Sequence, residues 1–345
     1  MSSYKPPFTI TAKMLTLVEQ IGECLGELKA SNAAAIVPEL RRGNRIKTIQ
    51  ASLAIEGNTL SLDQVTAVLS GKRVLGLPRE IQEVKNAFEA YEEIMKYSPH
   101  SVKDMLAAHK LLMSTLIDEA GAFRSGGVGI TRGEQVVHVA PPAARVPSLI
   151  KELLSWLRKT DTHPLVASCI FHYEFEFIHP FSDGNGRMGR LWQTVILSNW
   201  HPVFALLPVE SVVRDRQQEY YAALGSSDKS ADGTLFTEFM LAAILQAIRE
   251  LEANTDQVND QVTDQVRHLL QVMEQQAYAA KELMDKLQLS HRPTFRKNYL
   301  HPALEQGLIE MTVPDKPNSR IQKYRLTAKG RRLKSEVRME NGGCK

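Results

Sequence analysis

Apolar residues recur at three- and four-residue spacing through most of the first 253 residues, and this periodicity limits the main body to a helical fold. Strand signal is scarce over the same residues. The segments that we expect to be helices are 12–29, 45–54, 61–70, 79–97, 101–117, 147–159, 164–178, 187–199, 214–224 and 234–253. The sequence therefore predicts a mainly α fold, built as a helical bundle.

Residues 123–140 are the clearest departure from helical periodicity. Short alternating apolar runs flank a Thr-Arg-Gly-Glu turn at 131–134, and Pro141 and Pro142 end the element. Alternation around a glycine-containing turn is typical of a β-hairpin. We expect a small hairpin that stands out from the helical body.

Composition excludes several classes of protein. The chain has 345 residues, 43% hydrophobic and 23% charged, as in soluble globular proteins of two or three domains. It lacks a signal-like amino terminus and an apolar run near 20 residues, so we expect a cytoplasmic protein that does not enter a membrane. Cys24, Cys169 and Cys344 are few and far apart, which indicates a reducing compartment.

The run 179–190, His-Pro-Phe-Ser-Asp-Gly-Asn-Gly-Arg-Met-Gly-Arg, carries the strongest chemical signal. Its glycines let backbone N–H groups approach an anion, and a helix that starts there adds its positive dipole end. The arginines suit phosphate oxygens, and a carboxylate together with phosphates is a usual way to hold Mg²⁺. A histidine beside such a site can take a proton from a hydroxyl. The run predicts transfer of part of a nucleoside triphosphate to a hydroxyl.

Other interpretations of this run explain less of it. Residues 184–189 also satisfy G-x-G-x-x-G, but a dinucleotide site needs a βαβ unit, and the flanks here are helical. A P-loop is excluded because no Gly-Lys-Ser/Thr follows. A plain turn with Asp183 as a helix cap would explain the glycines. It would leave His179 and the two arginines unexplained.

With these residues in place, the chain resembles the Fic family, whose signature is His-x-Phe-x-Asp-Gly-Asn-Gly-Arg-x-x-Arg. Residues 52–57 resemble the family's inhibitory motif, Ser/Thr-x-x-x-Glu-Gly/Asn, which here precedes the signature. The hairpin with Phe123 and Arg124 resembles the family's flap. The resemblance spans roughly residues 10–250 and implies a Fic-type helical bundle.

The resemblance implies a protein adenylyltransferase, which moves AMP from ATP to a Ser, Thr or Tyr hydroxyl of a target protein and releases pyrophosphate. His179 would be the catalytic base, and Asp183 would hold Mg²⁺. Relatives that transfer phosphate or phosphocholine usually depart from Asp-Gly-Asn-Gly-Arg, which this chain keeps. The further positions that would bind nucleotide are Gly184, Asn185, Gly186, Arg187, Gly189, Arg190, Val137, His138, Tyr220 and Tyr221.

Inhibition is expected from Ser52, Glu56 and Gly57. The resemblance implies that Glu56 pairs with Arg190 and takes the place of a phosphate. Relatives that remove AMP use a glutamate at the same position, so de-AMPylation through Glu56 stays open as an alternative. The target would dock as an extra strand along the flap at 123–140. A homodimer partner is a plausible additional control.

The remaining histidines of the helical region receive a simpler interpretation. His172 lies two helical turns before His179, but a neutral core histidine explains it better than a second functional one. His109 and His163 have no partners that the sequence can name. Phe181 is expected to pack beneath the loop.

The last part of the chain differs in charge and pattern. Residues 281–345 contain 15 Lys and Arg against 7 Asp and Glu, a net of +8, which leaves −5 for the rest. Residues 254–266 repeat a polar tetrapeptide, which indicates a linker. Beyond it, helical stretches precede strand-like stretches at 308–313 and 322–326, the order of a winged helix. The predicted divisions are an amino-terminal helical region at 1–110, a catalytic core at 111–253, the linker, a winged-helix-like α+β domain at 267–336 and a tail at 337–345.

The basic domain adds a hypothesis of another class, a DNA-binding regulator. Arg292, Arg296 and Lys297 lie on its candidate recognition helix, and a second basic group surrounds the wing. Many winged helices bind proteins instead, so the partner of 267–336 is predicted as DNA or protein. The wing residues are Lys316, Arg320, Lys323 and Arg325.

Overall fold

A computed structural model describes residues 4–30, 38–127, 129–132, 135–260, 264–274, 276–314, 316, 319 and 321–340. Side chains are described for the same residues except 29–30, 38–40, 129–139, 252–264 and 335–340. The chain divides into two compact units, Met1–Glu252 and Ala253–Lys345. Each unit has its own hydrophobic core.

The first unit is helical, as predicted. Its central helices, α7 and α8, bury residues on every side, whereas α6 buries only one face. A helix that is apolar all round belongs in the middle of a bundle, so the loop between α7 and α8 lies at the heart of the unit. The helices are α1 (Ala12–Ala30), α2 (Pro38–Ile55), α3 (Leu62–Leu69), α4 (Pro78–Glu92), α5 (Val102–Leu112), α6 (Val146–Lys159), α7 (Pro164–Ile178), α8 (Asn185–Trp200), α9 (Val209–Asp215), α10 (Gln217–Ser230) and α11 (Thr234–Asp260), with 3₁₀ turns at Ile94–Lys96, Ala143–Arg145 and Pro202–Leu206.

Several helix ends differ from the sequence-based expectation. Helix α5 ends at Leu112 rather than near residue 117, because the side chain of Asn86 donates to the carbonyls of Leu112 and Ser114 and satisfies them there. Helix α8 begins at Asn185, two residues earlier than expected. The segment expected as one helix at 214–224 forms parts of two, α9 and α10.

The predicted hairpin is present. Strand β1 (Gly129–Arg132) pairs with β2 (Gln135–Val139) in antiparallel register, with Ile130 opposite His138. A bulge between Ile130 and Thr131 shifts the register. Thr131 and Arg132, expected in the turn, belong to β1, while residues 133 and 134 lie outside the described residues.

The second unit is an α+β module. Its three-stranded antiparallel sheet has the order β3-β5-β4, and helices precede, interrupt and follow the strands in the order expected of a winged helix. The winged-helix assignment itself stays a prediction. The elements are α12 (Asp264–Val272), β3 (Tyr278–Ala279), α13 (Ala280–Lys286), α14 (Arg292–Phe295), a π-helical turn (Arg296–Leu300), α15 (His301–Glu305), β4 (Ile309–Met311), β5 (Lys323–Leu326) and α16 (Ala328–Glu340).

The segment expected as a linker, 254–266, is largely helical where it is described. Helix α11 continues through Asp260, and α12 begins at Asp264. The tetrapeptide repeat holds neither glycine nor proline, the residues that most strongly oppose a helix. The domain boundaries drawn from the sequence stay predictions. Within the described ranges, no helix combines the length and apolar character that crossing a bilayer requires.

Candidate functional site

His179 ends helix α7 in a left-handed backbone conformation. Its φ of 49° and ψ of 62° lie in a region that costs a non-glycine residue roughly 1 kcal/mol or more. The backbone N–H of His179 donates to the Phe175 carbonyl at 2.9 Å, which closes the last turn of the helix. This geometry turns the chain sharply and leaves the half-buried imidazole at the mouth of the loop.

Arg124 holds that turn in place. Its Nε donates to the His179 carbonyl at 2.7 Å, and its Nη2 reaches the Ile178 carbonyl at 3.4 Å. The same guanidinium donates to the carbonyls of Gly126 and Pro141, at the two ends of the hairpin segment. A cation at the carboxyl end of a helix is favourable. Arg124 therefore ties the hairpin base to the backbone of His179, and burial lowers its pKa.

His109 supports the loop from below. Its ring stacks on Phe181 with centroids 3.6 Å apart, and Phe181 is fully buried. The Gly121 N–H donates to His109 Nδ1 at 2.9 Å, so Nδ1 carries no proton and Nε2 donates to the Asp183 carbonyl at 3.0 Å. Burial and, to a smaller extent, the cation of Arg187 lower the pKa of His109 to about 4. The hydrogen bond to the Asp183 carbonyl and the Asp183 carboxylate act in the opposite direction without outweighing burial.

Asn185 stabilises the loop from within. Its Oδ1 accepts from the Phe181 N–H and its Nδ2 donates to the Phe181 carbonyl, both at 2.9 Å. The buried amide is thus engaged at both ends. The side chain, predicted to bind nucleotide, thus also shapes the loop, and its role toward nucleotide stays a prediction.

The glycines serve three separate contacts. Gly184 has a φ of 84° and begins α8, and a Cβ there would lie 2.6 Å from the sulfur of Met113. A Cβ on Gly186 would lie 2.3 Å from Glu56 Oε1. At Gly189, a Cβ would lie 2.4 Å from Glu176 Oε1, inside the protein. Gly186 is therefore the position where another group can lie directly on the first turn of α8.

Glu56 occupies that position and pairs with Arg190. Arg190 Nη2 donates to Glu56 Oε1 at 2.8 Å, and Gly57 follows with a φ of 91° in the turn after α2. Ser52 accepts from Arg190 twice, at Oγ (3.1 Å) and at its carbonyl (2.9 Å). Burial lowers the pKa of Arg190, but Glu56, Tyr220 and Glu176 together outweigh burial and leave that pKa raised. Ser52 and Glu56 thus hold Arg190 together, and the side chains of Arg190 and Glu56 are 2% and 35% exposed.

Arg187 and Asp183 belong to a ring of alternating charges with Arg79 and Glu83 of α4, which we call the charge ring. Arg187 Nη2 donates to Asp183 Oδ1 and Arg79 Nη2 donates to Asp183 Oδ2, each at 3.1 Å. Arg79 Nε and Arg187 Nη1 both lie 3.5 Å from Glu83 Oε1. The i,i+4 spacing of Arg79 and Glu83 was visible in the sequence, but their approach to Asp183 was not.

Asp183 is the one predicted metal ligand. Among the residues that the structure describes, no group of three or more His, Cys, Asp or Glu could hold a metal ion. A single carboxylate held by two arginines does not suit a divalent ion alone. It does suit Mg²⁺ that arrives with phosphates, because such an ion takes one or two carboxylates and keeps phosphate and water oxygens.

The two predicted tyrosines lie differently. Tyr220 is fully buried, with its ring packed against Phe236 and its hydroxyl 3.3 Å from His172 Nε2. Its assignment as a nucleotide contact stays a prediction. Tyr221 is half-buried, and burial followed by the Glu56 carboxylate raises its pKa.

The other predicted positions resolve as follows. Val137 and His138 lie in β2, but their side chains are outside the described residues. His172 is fully buried, with Nδ1 2.7 Å from Gln193 Oε1. His163 begins α7, where its Nδ1 accepts from the Leu165 N–H. Neither histidine needs a functional explanation.

Comparison with known proteins identifies the family of this chain. The profile described as Fic/DOC family matches residues 99–197, and that of the Fic-like carboxy-terminal domain, named for filamentation induced by cAMP, matches 264–327. A crystal structure of a Fic family protein from Desulfovibrio desulfuricans G20 is 59% identical, covers 95% of this chain and 99% of its own, and superposes with a TM-score of 0.72.

Curated relatives are more distant. Protein adenylyltransferase fic-1 of Caenorhabditis elegans is 32% identical over 229 residues, which cover 62% of this chain. Protein adenylyltransferase Fic of Aedes aegypti is 28% identical over 225 residues, 61% of this chain. In both comparisons the matched part spans 42% of the relative. A solved structure of C. elegans Fic-1 (residues 134–508) is 25% identical, covers 71% of this chain and 72% of its own, and has a TM-score of 0.57.

Proposed function

The chain belongs to the Fic family, and from this premise we propose that it is a protein adenylyltransferase held in an inhibited state by Glu56. The reaction moves AMP from ATP to a Ser, Thr or Tyr hydroxyl of a target protein and releases pyrophosphate. The names of the curated relatives support the reaction class. The single observation that carries the inhibited state is the hydrogen bond from Arg190 to Glu56 at 2.8 Å.

His179 acts as the base. The target hydroxyl loses its proton to the imidazole, its oxygen forms a bond to the α-phosphorus, and the bond to the bridging oxygen breaks as pyrophosphate leaves. Such transfer depends mostly on positioning and electrostatics, and little covalent work falls to the protein. The clamp of Arg124 on the His179 carbonyl supplies the positioning.

The first turn of α8 forms the anion site. The backbone N–H groups of Asn185 and Gly186 and the positive end of the helix dipole favour a phosphate there. Arg187 is buried and fixed in the charge ring, so it adds a cation whose position is set before substrate binds. Bound with the nucleotide, Mg²⁺ would supply further charge neutralisation at Asp183.

Inhibition follows because the Glu56 carboxylate and the terminal phosphate of ATP compete for Arg190. Glu56 lies against Gly186 and takes the guanidinium of Arg190, so a carboxylate holds the cation that a terminal phosphate needs. ATP then binds only in a misaligned pose. Because Glu56 keeps part of its side chain exposed, the carboxylate can leave without unfolding α2.

Labelling with ATP carrying a tag on the α-phosphate tests both claims. Glu56→Gly is expected to raise AMP transfer, including self-modification, at least tenfold, and Glu56→Gly with His179→Ala is expected to abolish it. Glu89→Gly, an exposed glutamate of α4, is the matched control. Equal labelling by the wild type and Glu56→Gly would refute inhibition, and labelling that survives loss of His179 would refute the mechanism.

De-AMPylation is a second candidate, and the partial exposure of Glu56 favours it. A carboxylate beside the anion site that solvent can reach is able to orient a water molecule toward a bound phosphate ester. Incubating an AMP-modified protein with the wild type and with Glu56→Gly separates the two reactions. Removal of AMP by the wild type alone would assign the reverse activity to Glu56.

The carboxy-terminal unit supports a DNA-binding role as a second function. Arg292, Arg296 and Lys297 are all exposed on α14 and the π-helical turn. Together with the basic balance of residues 281–345, they suit contacts to a phosphate backbone. A salt-dependent mobility shift that is lost in Arg296→Ala with Lys297→Ala would support this role, and no shift at low salt would end it.

The remaining partners follow from the same proposal. The target adds as a strand to the open edge of the hairpin, where backbone hydrogen bonds fix its register. A homodimer and a cytoplasmic location stay predictions from the sequence.

A further inference from the structure

Arg79 is the cation of the charge ring that lies outside the signature at 179–190. It stands in the first turn of α4, roughly a hundred residues before Asp183, yet its Nη2 donates to Asp183 Oδ2 at 3.1 Å. Asp183 is also the carboxylate that the proposed reaction needs for a metal ion. An arginine therefore holds the oxygen that a divalent cation would use.

The charge ring has a buried half and an exposed half. The side chains of Arg187 and Glu83 are 6% and 13% exposed, whereas those of Arg79 and Asp183 are 58% and 40% exposed. Ion pairs between exposed side chains contribute little to stability and are readily exchanged. The Arg79–Asp183 pair is thus the contact that opens when a stronger cation approaches Asp183.

Glu83 gives Arg79 an anchor that does not depend on Asp183. Glu83 Oε1 lies 3.5 Å from Arg79 Nε, while its Oε2 accepts from Asn58 Nδ2 at 2.9 Å. When Nη2 leaves Asp183, the Nε side of the same guanidinium keeps its acceptor. The fork then presents free N–H groups toward whatever anion is bound beside Asp183.

We infer that Arg79 is a polyphosphate ligand that rests on Asp183 until nucleotide and its metal ion arrive. This inference rests on the proposed function and extends it to a residue outside the signature. Arg79 occupies the carboxylate in the absence of a divalent cation. When the metal ion binds Asp183, the Arg79 guanidinium moves to the β- or γ-phosphate of the nucleotide. Arg79 therefore recognises nucleoside di- and triphosphates rather than monophosphates.

Isothermal titration calorimetry of the protein with ATP or with AMP, in the presence of Mg²⁺, tests the ligand role. In the Glu56→Gly protein, adding Arg79→Ala is expected to raise the Kd for ATP about tenfold and to leave the Kd for AMP within about twofold. Lys85→Ala is the matched control, because it removes one exposed cation from the same helix outside the charge ring. Arg79→Lys should restore part of the ATP affinity.

Mn²⁺ binding in the absence of nucleotide tests the resting position. Electron paramagnetic resonance of free Mn²⁺ is expected to show tighter binding by Arg79→Ala than by the wild type, since one competing cation is gone. Losing Arg79 should thus have opposite effects on metal alone and on ATP, a pair of changes that a structural defect would not produce.

The outcomes separate the two proposals. Unchanged ATP affinity in Arg79→Ala, or an equal loss for AMP, overturns the ligand role. Unchanged Mn²⁺ affinity overturns the resting role. If the Glu56→Gly parent itself binds no ATP, the proposed function fails and the ligand role fails with it, while the Mn²⁺ comparison still decides whether Arg79 guards Asp183.

Discussion

Asn58 Nδ2 donates to Glu83 Oε2 at 2.9 Å, which joins the residue after the Ser52–Gly57 segment to the charge ring around Asp183. The same amide donates to the Glu80 carbonyl, and its Oδ1 accepts from the Leu60 N–H. The turn that carries Glu56 is therefore fastened to α4. Glu56, the proposed inhibitor, and Asp183, the proposed metal ligand, therefore share one support.

Asn58→Ala should loosen that support. The change removes three hydrogen bonds from a buried amide and is expected to lower the free energy of unfolding by about 1–3 kcal/mol. Basal AMP transfer should rise, though less than in Glu56→Gly, because the carboxylate remains. Chemical denaturation and AMP labelling measure the two effects, with the exposed Asn298→Ala as control. Unchanged labelling in a destabilised Asn58→Ala protein would mean that the turn does not need this anchor.

Ser52→Ala should weaken the hold on Arg190 only slightly. The variant loses the hydroxyl acceptor at 3.1 Å but keeps the carbonyl of residue 52 and the Glu56 pair. One hydrogen bond to a charged group contributes about 1.5–3 kcal/mol at most, and the remaining acceptors compensate in part. We expect labelling to rise about two- to fivefold. An increase as large as that of Glu56→Gly would show that Ser52, rather than the carboxylate, restrains Arg190.

Arg124→Ala should slow transfer without weakening ATP binding. The fork joins the His179 backbone to both ends of the hairpin, so its loss misplaces the base and the docked target. In the Glu56→Gly background we expect kcat to fall about 10- to 100-fold, or roughly 1.4–2.7 kcal/mol, with KM for ATP little changed.

Two further variants complete the Arg124 test. Arg145→Ala, an exposed arginine just beyond the hairpin, is the control. Arg124→Lys keeps the charge but loses the fork, so only partial recovery is expected. A rise in KM for ATP with normal kcat would contradict a positioning role for Arg124.

His109 should make stability depend on pH. Its folded pKa is lowered to about 4, while an unfolded histidine titrates near 6.5, so below pH 6.5 the unfolded state binds a proton that the folded state refuses. Stability present above pH 6.5 is therefore lost as the pH falls toward 4, by up to about 3 kcal/mol.

Denaturation of the wild type and His109→Gln at pH 7 and pH 5 measures this effect. The glutamine variant has no titrating ring. The difference in free energy of unfolding between the wild type and His109→Gln should therefore be smaller at pH 5 than at pH 7. An equal difference at both pH values would mean that His109 titrates normally in the fold.

The sequence predicted what depends on local pattern and motif. The helical periodicity placed α7 and α8, and the alternating residues of 123–140 placed the hairpin. The pairing of Glu56 with Arg190 was expected from the family resemblance alone. None of these features required knowledge of distances between helices.

Contacts between distant helices could not be predicted in this way. Nothing in the sequence near His109 shows that its ring lies under Phe181, because that contact depends on how α5 packs against the loop. Nor does the sequence show that the ring of Tyr220 is buried against Phe236. The hydrogen bonds of the Asn185 amide to the Phe181 backbone were equally invisible, because they depend on the shape of the loop.

The left-handed backbone at His179 has a consequence for how such a site can be kept over time. A glycine adopts this φ without strain and a histidine does not, so the residue proposed as the catalytic base is unfavourable for its own backbone conformation. Substitution of His179 by glycine would relieve the strain and remove the proposed base in a single step. Selection for stability therefore favours glycine at position 179, whereas selection for the proposed activity favours histidine.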